Sequence, residues 1–127
     1  FVGLVGADLA GVDLSTATLF RVQATGIATA PTLPADWTFL GGALIGPGAN
    51  LSGINLSGAN LAGSVLTDVL FIGGNLTGAD LTVADLSTSN FTLANLTGAT
   101  LTGATLTGAV WGETVCPNGV KQSIACA

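Results

Sequence analysis

Large apolar residues recur at every fifth position along half of this sequence. A small residue, usually Ala, lies two positions before most of them, and Asn, Asp or Thr usually lies directly before. An α-helix repeats every ~3.6 residues and a strand every ~2, so neither element keeps such residues on one face. The spacing therefore predicts a solenoid of short five-residue sides. The apolar positions are Leu51, Leu56, Leu61, Leu66, Phe71, Leu76, Leu81, Leu86, Phe91, Leu96, Leu101, Leu106 and Trp111.

The repeating unit, Ala-(Asn/Asp)-Leu-(Ser/Thr)-Gly, assigns a place to each side chain. We expect the Ala and Leu side chains to point into the solenoid and the polar side chains to point outward. Gly suits the corner, where the backbone adopts angles that other residues avoid. Four sides would close one coil of about twenty residues, and successive coils would stack at the strand spacing of ~4.8 Å.

In this unit the chain resembles the pentapeptide-repeat family. The motif begins at Ala49-Asn50-Leu51-Ser52-Gly53 and runs to residue 113. It also occurs in another phase within residues 2–26, at Leu4, Leu9, Leu14 and Leu19. The resemblance implies an all-β fold, a right-handed quadrilateral β-helix with about twenty residues per coil.

The repeat is interrupted at residues 27–34, where Pro31 and Pro34 fix φ and lack an N–H. Irregular units centred on Trp37 and Leu44 follow, and we expect their extra residues, Leu40-Gly41 and Pro47-Gly48, to be corner bulges. The sequence thus divides into four segments: N-terminal repeats (1–26), an irregular interruption (27–48), the main solenoid (49–113) and a C-terminal cap (114–127).

The interruption and the tail resemble segments of exported bacterial pentapeptide-repeat proteins. The resemblance rests on Leu33-Pro34 with Trp37, on Gly46-Pro47-Gly48-Ala49-Asn50-Leu51 and on the C-terminal cysteines. Cys116 and Cys126 flank a Pro-Asn-Gly turn, which predicts a disulfide that closes the cap; two free thiols in a reducing compartment are the alternative. A disulfide favours export, so we expect an extracellular or cell-surface protein.

Residues twenty apart should share a face of the solenoid. Two columns stand out: Leu51, Phe71, Phe91 and Trp111 form a predicted core ladder, and Asn55, Asn75 and Asn95 form a predicted outward ladder of hydrogen-bonding amides. The aromatic column implies no cofactor.

Apolar residues in outward positions mark a candidate interface. They are Leu70, Ile72, Leu93 and Val110, together with Phe1, Val2 and Leu4 at an N-terminus without a polar cap. Such a patch often marks an intermolecular contact, whereas the alternative is internal cover by residues 27–48 or by the tail.

Composition excludes several function classes. The chain has no His and two Cys, which leaves almost no ligands for a transition metal and no His-based triad, so we expect no enzyme, metal or cofactor. A net charge of −5 disfavours binding to nucleic acid or anionic membranes. The apolar runs are too short for membrane insertion. Asp80 and Asp85 occupy the polar slot of the repeat and predict corner hydrogen bonding.

The sequence favours a non-enzymatic structural or self-assembling extracellular solenoid, with head-to-tail stacking into a fibre as one form. Its expected partners are a second copy or another protein. The alternative is a protein-binding module, including the DNA-mimic mode of gyrase-binding pentapeptide-repeat proteins. That mode needs a denser acidic surface than seven Asp and Glu residues supply.

Overall fold

The computed structural model describes residues 2–126, which wind into a square solenoid. Residues twenty positions apart pair as parallel β-bridges in four columns, one column for each side. The coils form the right-handed quadrilateral β-helix that the sequence predicts. We number the sides by their columns: side 1 holds Asn50, Leu70, Asn90 and Val110; side 2 holds Asn55, Asn75, Asn95 and Val115; side 3 holds Asn60, Asp80 and Thr100; side 4 holds Val65, Asp85 and Thr105.

Backbone hydrogen bonds join successive coils. On side 1, the Leu51 N–H donates to the Leu70 carbonyl at 2.8 Å, and the Leu70 N–H donates to the Ala49 carbonyl at 3.0 Å. The same pair of bonds recurs on the other sides of the coils that follow. The third and fourth coils are therefore tied to each other on every side, as strands are tied within a sheet.

The corners follow from the repeat. Gly53, Gly58 and Gly63 have φ of 68°, 67° and 69°, in the left-handed region that Gly adopts without steric cost. The polar residue before the central Leu closes the same turn. Asn75 Oδ1, for example, accepts the Thr77 N–H at 3.1 Å and the Thr77 hydroxyl at 2.6 Å. This bond explains why Asn or Asp is followed two positions later by Ser or Thr.

Residues 2–126 contain six short strands besides the bridges. β1 (Val2–Gly3) pairs in parallel with β2 (Val22–Gln23). β3 (Thr38–Leu40) and β4 (Ala43–Ile45) form an antiparallel hairpin, and so do β5 (Thr114–Val115) and β6 (Lys121–Gln122).

The core is divided into two clusters, and β4 lies between them. Leu44 packs in the N-terminal cluster with Leu9 and Val22, whereas Ala43 and Ile45 pack in the main cluster. Alternate side chains of a strand point to opposite faces, so one strand contributes to both cores. All three residues of β4 are buried. The strand therefore crosses the interior and separates the N-terminal coils from the main solenoid.

The expectation of corner bulges in this segment is wrong. Leu40 ends β3, and Gly41 and Gly42, with φ of 57° and 79°, make the two-residue turn of the hairpin. Pro47-Gly48 is an ordinary corner, since Gly48 has φ of 72° and is in phase with Gly53.

Trp37 replaces a repeat leucine. Gly46 is five residues before Leu51 and takes the central position of its side. A Cβ at Gly46 would lie 2.4 Å from the Trp37 ring. The indole therefore occupies the volume that a leucine would fill. Through this contact the hairpin segment packs against the main solenoid.

Candidate interaction surfaces

The predicted core ladder is an aromatic stack. The Phe71 and Phe91 rings lie 5.1 Å apart with an interplanar angle of 9°, and the Phe91 and Trp111 rings lie 4.9 Å apart at 15°. Leu51 is buried at the other end of the column. The stack is interior, and half-buried Trp111 is its most exposed member. The stack contributes to the core of the solenoid and presents no site for a ligand.

The part of the candidate interface formed by Leu70, Ile72, Leu93 and Val110 is not one continuous apolar patch. Leu93 and Val110 are 56% and 48% exposed, whereas Leu70 and Ile72 are half-buried. Asn90 separates Leu70 from Val110 along side 1. Because polar and apolar residues alternate there, this face is a weaker candidate for docking than the sequence suggests.

Of the three N-terminal residues of the candidate interface, the structure describes the side chain of Leu4 alone. Phe1 and the Val2 side chain lie outside the described residues. Leu4 is half-buried and packs against the N-terminal core cluster. Its side chain therefore serves the core at least in part.

The C-terminal cap is closed by a disulfide. Cys116 and Cys126 are bonded, with a Cα–Cα distance of 5.4 Å, and both side chains are buried against the end of the main core. Strands β5 and β6 form a hairpin whose turn, together with β6, lies between the two cysteines, and Glu113 and Lys121 pair at 3.4 Å on its surface. The bridge keeps the tail folded over the core.

The last coil is covered on only two sides, which sequence reasoning missed. On sides 1 and 2, residues Val110 and Val115 continue the ladder into the cap. On sides 3 and 4, the N–H groups of Leu101, Gly103, Leu106 and Gly108 have no backbone partner among residues 2–126.

The core is open at the same place. Leu101 and Leu106 are half-buried, although their equivalents one coil earlier, Leu81 and Leu86, are fully buried. A cavity of about 330 Å³ lies beside them, lined also by Ala99, Thr102, Pro117 and Cys126. We call residues 99–108 the open half-coil.

A second gap lies where the hairpin crosses the solenoid. A groove of about 370 Å³ lies between the second and third coils at the corner of sides 1 and 2. Another of about 240 Å³ lies at the opposite corner, beside Trp37, Ile45 and Val65. We call the larger one the seam groove; it is lined by Gln23, Thr25, Leu40, Gly41, Ala43, Ser52, Gly53, Ile54 and Asn55.

Five corners of the main solenoid depart from the repeat. They have φ of 51–61° where the repeat normally has Gly, and they are Asp68, Val83, Thr88, Leu93 and Glu113. A β-branched residue is strained in this region. The side chains lie outside, and Val83 is 63% exposed. These residues are distributed over three of the four corners of the coil, so they do not form one surface.

The carboxylates serve the corners. Asp85 Oδ1 accepts the Ser87 hydroxyl at 2.6 Å and the Ser87 N–H at 3.1 Å, and these bonds lower the pKa of Asp85 below its ordinary value. The Thr82 hydroxyl and N–H lower the pKa of Asp80 in the same way. Within residues 2–126, no three His, Cys, Asp or Glu residues converge in a way that would hold a metal ion. That part of the chain also contains no helix long and apolar enough to cross a membrane.

The square coil, the glycine corners and the five-residue unit coincide with a known family. The family model described as pentapeptide repeats matches residues 49–87 and 75–110, in eight copies. Residues 49–110 belong to the pentapeptide-repeat family. Pentapeptide-repeat proteins are in general structural or protein-interaction modules and are in general not enzymes.

Two solved pentapeptide-repeat structures are similar to the chain. One, from the Arabidopsis thaliana thylakoid lumen, is 29% identical with a TM-score of 0.45, and the match covers 86% of this chain and 64% of that chain. The other is HetL, involved in heterocyst differentiation regulation, from the cyanobacterium Nostoc sp. strain PCC 7120. It is 28% identical with a TM-score of 0.43, and the match covers 94% of this chain and 49% of HetL. The chain therefore spans less than two thirds of either protein. No curated protein matches the chain.

Proposed function

We propose that the chain is an exported, non-enzymatic scaffold that self-associates through its open half-coil. The observation that carries the proposal is the row of N–H groups at Leu101, Gly103, Leu106 and Gly108 without backbone partners in the described residues. Such an edge pairs readily with another chain.

A second copy suits this edge in both polarity and charge. The open half-coil contains no charged residue, so two copies approach without like-charge repulsion. Leu101 and Leu106 add half-buried apolar surface beside the unpaired N–H groups. Head-to-tail stacking would repeat one contact at every junction and produce a filament.

The disulfide supports the exported location. Disulfides persist in oxidising compartments and are rare in the cytosol. The Cys116–Cys126 bond holds the cap that borders the open half-coil, so the proposed interface depends on an oxidising environment. We propose an extracellular or cell-surface location on this basis.

Gyrase binding by DNA mimicry is the weaker alternative within this family. A mimic needs dense negative charge along the rod. Residues 49–113 carry four carboxylates, at Asp68, Asp80, Asp85 and Glu113, and Asn or Thr fills most equivalent positions. The charge pattern therefore favours the scaffold.

Sedimentation velocity and electron microscopy of the purified, oxidised chain test the proposal. We expect concentration-dependent assemblies, and rods in micrographs if stacking is head to tail. The double variant Leu101→Lys with Leu106→Lys places two charges at the open end and should give monomers.

The matched control is Ser57→Lys with Ala62→Lys, which adds the same charge to exposed positions of the third coil, away from the open half-coil. It should still associate. A thermal melt of each variant establishes that it is folded. A monodisperse wild-type monomer at high concentration would overturn the proposal.

A further inference from the structure

The third coil has an unpaired backbone donor at the seam groove. On side 2 of the next coil, the Asn75 N–H donates back to the Ile54 carbonyl at 2.8 Å. The Asn55 N–H occupies the same place one coil earlier, yet it has no backbone partner among residues 2–126. Asn55 lines the seam groove, so this donor faces the gap that the hairpin leaves.

An unpaired acceptor lies at the same corner. The Ile72 carbonyl, in the fourth coil, accepts the Gly53 N–H of the third coil at 2.8 Å. The Ser52 carbonyl has the equivalent position in the third coil and receives no backbone N–H from the described residues. Ser52 also lines the seam groove. An acceptor and a donor on either side of the Gly53 corner are therefore left without backbone partners, three residues apart.

The side chains around this edge are polar and uncharged. The Gln23 amide and the hydroxyls of Thr25 and Ser52 make no hydrogen bond to other side chains or backbone in residues 2–126. Leu40, Ala43 and Ile54 supply apolar surface. The lining contains no charged and no aromatic side chain. It thus has no charged side chain to pair with an ion and no ring on which a sugar would stack.

We propose that the seam groove binds a short, uncharged peptide segment that follows the corner at residues 52–55 and pairs with its backbone. A peptide backbone supplies both an acceptor for the Asn55 N–H and a donor for the Ser52 carbonyl, as a repeat unit does in the regular coils. At the equivalent corner of the later coils, a repeat unit of the preceding coil occupies this place. The groove therefore has the shape of one missing corner. Amide and hydroxyl side chains of the peptide match Gln23 and Thr25.

This site is separate from the open half-coil. The seam groove lies at the third coil, and the open half-coil lies at the last complete coil. Loss of self-association therefore leaves peptide binding intact, and the two proposals fail independently.

An NMR titration of the full oxidised chain tests the proposal, carried out on the variant Leu101→Lys with Leu106→Lys so that self-association does not broaden the signals. The probe is a capped peptide with the repeat sequence Ala-Asn-Leu-Thr-Gly-Ala-Asn-Leu. We expect saturable shifts of the backbone amides of residues 23–25 and 52–55, with the Asn55 amide shifting downfield as it gains an acceptor. The same peptide with N-methylated backbone amides should bind at least about tenfold more weakly, because it cannot donate to the Ser52 carbonyl.

Two tryptophan variants locate the site. Ser52→Trp fills the groove and should abolish the shifts. Ser57→Trp is the matched control, since Ser57 occupies the same repeat position on the next side, is exposed, and lies outside the groove lining. It should bind as the wild type does.

Three results would overturn the proposal. The first is the absence of saturable shifts at millimolar peptide. The second is equal binding of the N-methylated peptide, which would remove the role of the backbone edge. The third is saturable binding of an uncharged oligosaccharide such as maltohexaose at these amides while the peptide fails to bind.

Discussion

The main solenoid and the N-terminal segment use the same five-residue unit but are held together differently. From residue 49 onward, each side is tied to the next coil through alternating N–H and carbonyl groups. Between the second and third coils, the Asn50 N–H still reaches the Val22 carbonyl at 2.9 Å, but Asn55 and Asn60 donate to no backbone group in the described chain. A rigid rod therefore requires an unbroken ladder of backbone hydrogen bonds between coils, and the repeat motif alone does not provide one.

The difference lies in what fills the core. In the main solenoid, each coil supplies identical inward positions, so Phe71, Phe91 and Trp111 stack directly. In the N-terminal segment, a transverse strand and Trp37 fill the volume instead. Packing is retained there, but the backbone pairing between the second and third coils is lost at Asn55 and Asn60. The following predictions test this contrast in order of decreasing effect.

Phe91→Ala should be the most damaging single change. The ring is fully buried between two stacked neighbours, and its removal should lower the free energy of unfolding by about 3–5 kcal/mol. Urea denaturation measures this loss. Phe20→Ala in the N-terminal segment is the comparison, since Phe20 is 59% exposed and should cost less than about 1 kcal/mol. Equal losses would contradict the assignment of the stable core to the main solenoid.

Gly46→Ala should damage the junction through overpacking. The new methyl group would lie 2.4 Å from the Trp37 ring, and displacement of the indole should cost about 1–3 kcal/mol. Hydrogen exchange should locate the loss in residues 36–48 and spare the main solenoid. Gly3→Ala is the control, because no atom lies within 4 Å of its added Cβ. If the control destabilises the chain as much, the Trp37 contact is not the cause.

Val83→Gly should stabilise the main solenoid. A left-handed conformation costs an L-residue ~1–2 kcal/mol. Gly avoids this cost but loses ~0.5–1 kcal/mol more in chain entropy on folding, so we expect the free energy of unfolding to rise by about 0.5–1 kcal/mol. The reverse change at a regular corner, Gly78→Val, should destabilise, since Gly78 has φ of 66°. Thermal melts of both variants measure the two signs. A loss on Val83→Gly would show that the exposed valine contributes contacts that outweigh its strain.

Ser87→Ala should produce the smallest effect, a rise in the pKa of Asp85 towards 3.8. In the folded chain, hydrogen bonds from Ser87 lower this pKa. The resulting stabilisation is present above pH ~4 and is lost as the pH falls through the folded pKa. An NMR pH titration of the Asp85 carboxyl carbon measures the shift. Thr82→Ala, which affects Asp80 instead, should leave the Asp85 titration unchanged.

The sequence predicts the main solenoid well because one spacing determines it. A period of five on a square coil places Leu51, Phe71, Phe91 and Trp111 in one column, and the Gly position follows from the backbone angle of a corner. The Asn column is realised in part, since the Asn75 side chain donates to Asn55 Oδ1 at 3.3 Å. Local chemistry and global fold agree at these positions.

The five-residue repeat does not predict the seam. Leu44 fits a repeat centre in the sequence, but in the structure it belongs to a strand within the core. The signal was present: Gly41-Gly42 separates two runs of apolar and β-prone residues, which is typical of a hairpin. The open half-coil was harder to predict, since the course of the tail depends on how far the Cys116–Cys126 bridge draws it over the core.

The four columns also decide what a change of length would do. Each five-residue unit is one side of the square, so the insertion of a single unit after Phe91 would rotate everything that follows by a quarter turn. Trp111 would leave the aromatic column, and the cap would cover a different pair of sides. Insertion of four units would preserve every column and only lengthen the rod. In this fold a short insertion acts as a rotation, and lengths that differ by whole coils are the ones that conserve its surfaces.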